Sequence, residues 1–383
     1  MISEADINAV VEVLRSDWLT QGPLVPRFEE ALTHFCGRNL DAVVFNSATS
    51  ALHAACRALD VGMGDLVWTV PNTFVASANC ALYCGAEVDF VDIDPLSWTM
   101  CPKSLEEKLF QADRDNALPT VLIPVHFAGT SADMRSIFHL AKKYGIKIIE
   151  DASHALGCRY LGSYVGSCEY SDITVFSFHP VKMITTGEGG AALCKNTRLA
   201  RRMQLFRSHG VTREATEFRT EASGPWSYQQ IELGYNYRMT DLAAGLGITQ
   251  LSRLDGFLVA RRSLAQFYES NLSGLPLRYQ KVSSEVDSSR HLFVIQLLEG
   301  LSDSGARRKK LFSYLRQKGI GVNVHYEPVH LQPHYTRLGF QIGDYPEAEA
   351  YAKSCISLPI FPDLRIEECD YICSVIRESV ESL

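Results

Sequence analysis

From residue 42 to residue 178 the chain repeats one arrangement: a short apolar run, a segment with helical periodicity, then another apolar run. The runs fall at 42–46, 65–70, 87–92, 120–126, 147–150 and 173–178, with helical patterns at 49–59, 73–84, 103–111 and 134–144. Several runs carry no charge on either face, as expected of strands in a sheet covered by helices on both sides. Parallel neighbours need a crossover, and the intervening helices supply it. The alternation therefore predicts an α/β domain built on a mostly parallel sheet flanked by helices. A further run, 191–194, follows the sixth so closely that it reads as a strand of opposite direction.

Near residue 250 the texture changes. Residues 241–268 read as a long helical stretch broken or bent around Gly256, followed by a polar linker at 280–289. A strand at 292–298, a basic helix at 306–318, a strand at 321–324 and a helix at 366–382 describe a smaller α+β unit. The expected division is a large domain over 1–250, N-terminal helix included, and a small domain over 251–383. A length of 383 residues accommodates two cores. The net charge of -7 argues against a general binder of nucleic acid or anionic membrane. No uncharged apolar run reaches the ~18 residues of a membrane span. The opening "MISEADINAVVEVL" reads as an acidic amphipathic helix capped by Ser3, unlike a signal peptide. The 11 cysteines include no C-x-x-C pair, and Cys80/Cys84 and Cys369/Cys373 have helical spacing in apolar stretches. Buried free thiols in a reducing, cytoplasmic compartment fit that usage better than disulfides or zinc.

Ligands of open α/β sheets sit outside the carboxyl ends of the strands, and three of these ends carry unusual polar groups. "VVFNSATSALHAAC" ends a strand at Asn46 and starts a helix around Ala48 and Thr49, whose exposed N–H groups suit a phosphate as well as a plain cap. "GIKIIEDASHALG" delivers Glu150 and Asp151, with His154 three residues beyond Asp151. "VFSFHPVKMITTGEGGAALC" delivers Ser177 and, past Pro180, Lys182, before a run rich in glycine. A lysine held against that apolar, crowded backbone is partly desolvated, which favours its neutral, nucleophilic amine. A phosphate cradle, a carboxylate and a lysine on strand ends together fit pyridoxal 5'-phosphate: an amine for its aldehyde, an acid for its ring nitrogen, a helix start for its phosphate. The chain contains no G-x-x-x-x-G-K-[ST], and the Gly187–Gly190 run lacks the spacing and βαβ context of a dinucleotide fingerprint.

The motifs "SDWLTQGP", "NSATSALHAAC", "PNTFVASANCALYCGA", "EDASHALG", "SFHPVKMITTGEGG" and "GYNYRMTDLAAGLGITQL" occur in that order along the chain. In them the chain resembles the DegT/DnrJ/EryC1/StrS family of sugar-nucleotide aminotransferases, from about Glu4 to the C-terminal helix. The resemblance implies fold type I of the pyridoxal-phosphate transferases, similar to aspartate aminotransferase. By position it makes Lys182 the Schiff-base former and Asp151 the partner of the pyridine nitrogen. His154 stands near the phenolic oxygen and Phe74 against the ring. The backbone of Ala48 and Thr49, with Ser177, holds the phosphate. It also implies a homodimer with shared sites, in which Asn236 reaches the phosphate of the other subunit and Arg238 lies close by at the substrate.

Within the family, "FHPVKMITTGEGG" and "HYEPVHLQPHY" are most similar to the aminotransferase of pseudaminic acid biosynthesis. That likeness implies transfer of an amino group from L-glutamate, leaving 2-oxoglutarate, to the C-4 ketone of a UDP-linked 4-keto-6-deoxy-N-acetylhexosamine. In the second motif Tyr326 and His330 are the expected sugar contacts. His325, His330 and His334 read as a substrate loop and not as a metal site, since no carboxylate or cysteine cluster completes them and Pro328 and Pro333 break the helix. Related sugar dehydratases replace the Schiff-base lysine by histidine, so Lys182 speaks against that reaction. An intact lysine, aspartate and phosphate loop speak against a non-catalytic binding module.

Overall fold

The computed structural model describes residues 2–298 and 304–382. It opens with α1 (Glu4–Arg15), where Ser3 and Asp6 exchange capping hydrogen bonds, and α2 (Leu24–Cys36). Five strands and four helices then alternate: β1 (Asp41–Phe45), α3 (Ala48–Ala58), β2 (Leu66–Thr69), α4 (Ala76–Tyr83), β3 (Glu87–Phe90), α5 (Pro102–Arg114), β4 (Val121–Leu122), α6 (Met134–Lys143) and β5 (Lys147–Asp151). A small ribbon, β6 (Arg159–Tyr160) and β7 (Ser163–Tyr164), precedes β8 (Ile173–Ser177) and β9 (Gly190–Cys194). The central sheet has the order β1-β9-β8-β5-β4-β2-β3, and its pairings are parallel except the two made by β9. The close succession of β8 and β9 thus produces the reversal expected from the sequence.

Strand periodicity separates two cores. Val43 and Phe45 face a cluster shared with α3 to α6, whereas Ala42 and Val44 face one built from Phe28 and Leu32 of α2. The chain continues through α7 (Thr197–Arg207) and an excursion paired by β10 (Val211–Thr212) and β11 (Gln229–Gln230). It then enters α8 (Asp241–Ser252) and α9 (Leu254–Asn271). A third apolar cluster gathers residues from Leu264 onward. It is centred on the antiparallel strands β12 (Leu277–Tyr279), β14 (Phe293–Leu297) and β15 (Cys355–Leu358), while β13 (Val286–Asp287) pairs separately with β6. The helices here are α10 (Ser304–Gln317), α11 (Pro333–Thr336), α12 (Pro346–Ser354) and α13 (Ile366–Ser382).

Several local expectations differ from the structure. The helix break falls at Arg253, whose guanidinium pairs with buried Asp6 at 2.7 Å, while Gly256 continues inside α9. The run at 120–126 forms a two-residue ladder, is interrupted at Pro124, which has no N–H to donate, and pairs again through a bridge from Val125 to Asp151. The segment 321–324 makes one bridge, Asn323 to Ser357, and not a strand. The linker 280–289 contains β13, which ties this region back to the ribbon.

Candidate active site

Register brings the three strand ends together. Gly190 of β9 lies opposite Phe45 of β1 on one side and Ser177 of β8 on the other, and Asp151 of β5 pairs with Val175 of β8. A Cβ at Gly190 would stand 2.5 Å from the Ala48 nitrogen, so the missing side chain is what lets β9 seat the start of α3. Gly190→Ala should therefore destabilise the fold by about 1–3 kcal/mol through overpacking. Urea unfolding is the measurement, with a lowered midpoint and unchanged slope expected; an unchanged midpoint would show that the helix start yields freely.

Ser47 caps α3 by accepting from the Ser50 N–H at 3.1 Å. The N–H groups of Ala48 and Thr49 belong to the first turn and have no partner within the helix. Both residues line a cavity of about 1640 Å³ together with Phe74, Asp151, His154, Ser177, Lys182 and Tyr326. Phe74 stands at its rim, 59% exposed, and Val181 beside the lysine is also exposed.

Asp151 is buried. Its Oδ2 accepts from the Ser77 hydroxyl at 2.6 Å and its Oδ1 from the Ser153 N–H at 3.0 Å, so the carboxylate is fixed against the cavity. Ser77 is in turn bonded to Thr73 at 2.8 Å. The sequence reading missed this support, although Thr73 and Ser77 stand one helical turn apart in "NTFVASANC". Lys182 follows β8 in a turn closed by its own N–H to the His179 carbonyl. Burial lowers its amine to about 8 against the opposing pull of Asp151.

His154 is held well below the usual imidazole range, first by burial and then by Lys182 and His325. Its Nδ1 faces the Ala128 N–H at 3.3 Å, which can only donate. The ring proton therefore sits on Nε2, 3.1 Å from the Tyr326 hydroxyl oxygen. Tyr326 is a neutral phenol, since burial and then Asp151 raise it far above the ordinary range. With its oxygen accepting from His154, its own proton is free for a group in the cavity.

Three expected site residues stand apart. His330 is buried outside the cavity, bonded to Glu349 at 3.1 Å and packed on Phe90 and Tyr345. It is a core histidine, and the expectation of a sugar contact is corrected. Asn236 is exposed beyond its own cavity, with its carbonyl accepting from Asn46, and Arg238 bonds Ser208. Neither lines the site of its own chain. Conversely, Arg261 and His291 line the cavity beside His154 without having been read as site residues, and His325, expected only as part of a substrate loop, lines it too. Arg261 and His291 gave no sequence signal beyond a helical arginine and a histidine preceding a strand.

The sequence profile of the DegT/DnrJ/EryC1/StrS aminotransferase family matches residues 1–377. The chain belongs to this family. The aminotransferase is 38% identical over 383 residues to the UDP-4-amino-4,6-dideoxy-N-acetyl-beta-L-altrosamine transaminase of Campylobacter jejuni, covering all of this chain and 96% of the relative. Among solved structures it superimposes on a sugar aminotransferase of Streptococcus pneumoniae in its PMP form, with a TM-score of 0.91 and 33% identity over 100% of this chain and 98% of that one. It matches Helicobacter pylori PseC, an aminotransferase involved in the biosynthesis of pseudoaminic acid, with a TM-score of 0.91 and 31% identity over 100% and 98%. The aminotransferase thus has the fold of these sugar aminotransferases, as its motifs implied. Among the described residues, no helix is long and apolar enough to cross a membrane.

Proposed function

We propose that this aminotransferase uses pyridoxal 5'-phosphate to move an amino group from L-glutamate to the C-4 ketone of a UDP-linked 4-keto-6-deoxy-N-acetylhexosamine. Its product would be UDP-4-amino-4,6-dideoxy-N-acetyl-β-L-altrosamine, made in the cytoplasm for pseudaminic acid. The observation that carries the chemistry is the meeting of a free helix start, a fixed carboxylate and a desolvated lysine in one cavity. The sugar is supported by the altrosamine transaminase relative, which matches this chain from end to end.

The residues fit the cofactor. Ala48 and Thr49 N–H groups and Ser177 would hold its phosphate, with the opening of the cradle secured by Gly190. Asp151 would face its ring nitrogen and Phe74 its ring, with His154 near its phenolic oxygen. When bound, the cofactor supplies an aldehyde that exchanges amines and a ring that takes up the electron pair of a broken C–H bond. Lys182 holds it by its amine and, once displaced, takes a proton from the α-carbon of glutamate. In the second half-reaction the same amine returns a proton at the sugar's C-4. Tyr326 offers its hydroxyl proton to the sugar.

The test is a panel of 4-keto and 3-keto nucleotide sugars with L-glutamate, followed by product identification. Highest kcat/KM on the 4-keto N-acetyl sugar is expected, and clear preference for a 3-keto sugar would overturn the assignment.

The dimer belongs to the same reading. Trp226, Tyr228, Leu233 and Tyr235 are exposed on the excursion leading to Asn236, an apolar surface suited to a second copy. Asn236 would then complete the phosphate site of the partner subunit, and Arg238 would approach the substrate there. Removing one hydrogen bond to a buried phosphate weakens binding by about 1.5–3 kcal/mol, so Asn236→Ala should lose cofactor at limiting concentration. Mixing inactive Lys182→Ala with Asn236→Ala chains should restore activity, because one hybrid site receives both intact residues. Verified heterodimers that recover nothing would refute the shared site.

A further inference from the structure

Tyr326 stands at the cavity, yet its backbone belongs to no helix or strand. Regular structure therefore does not fix where its hydroxyl falls, and neighbouring groups must. The segment around it is moored on both sides. The Tyr351 hydroxyl donates to the His325 carbonyl at 2.7 Å, and Ser357 Oγ lies 2.8 Å from His325 Nδ1. The Val329 N–H donates to the Pro71 carbonyl at 2.9 Å. Between these moorings the Tyr326 N–H donates to Oδ1 of Asn72 at 3.3 Å.

Asn72 comes from the turn between β2 and α4, which also carries Phe74 to the cavity rim. Its side chain is buried, and its Nδ2 donates to the Trp98 carbonyl at 3.3 Å. A carbonyl only accepts and a backbone N–H only donates, so these two partners admit a single orientation of the amide. Trp98 is fixed in turn, buried against Tyr351 with ring centroids 4.8 Å apart, and Tyr351 is the residue that holds His325. The contacts close a ring through Asn72, Trp98, Tyr351, His325 and Tyr326. A buried amide is a costly filler where an apolar side chain of similar size would pack as well. Its two bonds are what distinguish it, and Asn72 does not itself line the cavity.

We propose that Asn72 is a positioning residue for the sugar half-reaction, holding Tyr326 where its hydroxyl proton meets the sugar. The proposal rests on the reading that Tyr326 serves the sugar. The glutamate half-reaction depends instead on Lys182 and Asp151, whose bonds run to His179, Ser77 and Ser153. Misplacing a reacting group by about 1 Å costs on the order of 10²-fold, and here that loss falls on one substrate.

Single-turnover kinetics separate the two halves. Asn72→Leu should slow the aminated enzyme's reaction with the keto sugar at least tenfold. Reaction of the lysine-bound cofactor with L-glutamate should stay within threefold. Tyr326→Phe should show the same split, and the double variant should lose no more than threefold beyond Tyr326→Phe alone. Asn72→Ala, which adds no bulk, reads the same loss should Asn72→Leu fail to fold. Thr73, next in the chain, supports Asp151 through Ser77, so damage spreading along the turn would slow the glutamate half-reaction as well. Equal losses in both halves would therefore overturn the positioning role. So would a sugar half-reaction that is unchanged in a folded Asn72 variant while Tyr326→Phe is slow. Failure of the underlying reading is separate: Tyr326→Phe would then react with the sugar at the wild-type rate, or wild type would aminate no keto sugar.

Discussion

Lys182→Ala is expected to abolish turnover and the absorbance of lysine-bound cofactor, while cofactor still associates through its phosphate contacts. A positioned acid–base group contributes roughly 10²–10⁴-fold, and the same amine is also the covalent anchor, so a loss of roughly 10⁴-fold or more should follow. Borohydride reduction of the wild type followed by peptide mapping should mark this lysine alone, and a label elsewhere would sink the assignment. The free protein adds a second readout. An amine lowered to about 8 is neutral about 300-fold more often at pH 7 than an ordinary lysine. The rate at which cofactor-free protein captures pyridoxal phosphate should therefore rise with pH and level off above about 8. A rate still climbing at pH 10 would show a lysine in contact with water.

The depression has a traceable cause. Residues 175–178 are buried, and the Lys182 turn closes on His179 directly beyond them. That much was legible in the sequence, because an uncharged run followed by proline and a glycine-rich stretch leaves the lysine little access to water. The parallel sheet was legible for a related reason: strands 43–45, 148–149 and 173–176 carry no charge on either face, as helices covering both sides require. What stayed hidden depends on contacts distant in sequence. His330 and His325 occupy the same motif, yet a partner at Glu349 draws one into the core while Ser357 leaves the other at the cavity. Arg261 lies 79 positions beyond Lys182 and reaches the site only because α9 crosses back over the wall. Strands β12 and β15 were missed because each is short and half of its apolar character serves the third core.

Asp151→Asn is expected to keep the fold and slow turnover by roughly 10²–10³-fold, the scale of removing one preorganised electrostatic contact. The replacement has the same shape, and an amide oxygen can still accept from the Ser153 N–H. The amide nitrogen then falls where Oδ2 now accepts from Ser77, whose hydroxyl can turn to receive it. Thermal stability should therefore change little. What the amide cannot supply is a negative charge facing a protonated ring nitrogen, and with that charge gone the ring is a weaker acceptor for the electron pair of the glutamate C–H bond. A primary isotope effect on α-deuterated glutamate should grow as this step becomes limiting. The same substitution acts on Lys182, because the Asp151 charge is what opposes the lysine's depression. Removing it stabilises the neutral amine further, so the plateau in cofactor capture should begin below about 8 in the variant. A variant with near-normal turnover would end the pairing with the ring nitrogen, whereas slowed turnover with an unmoved capture profile would show that Asp151 and Lys182 do not share one electrostatic site.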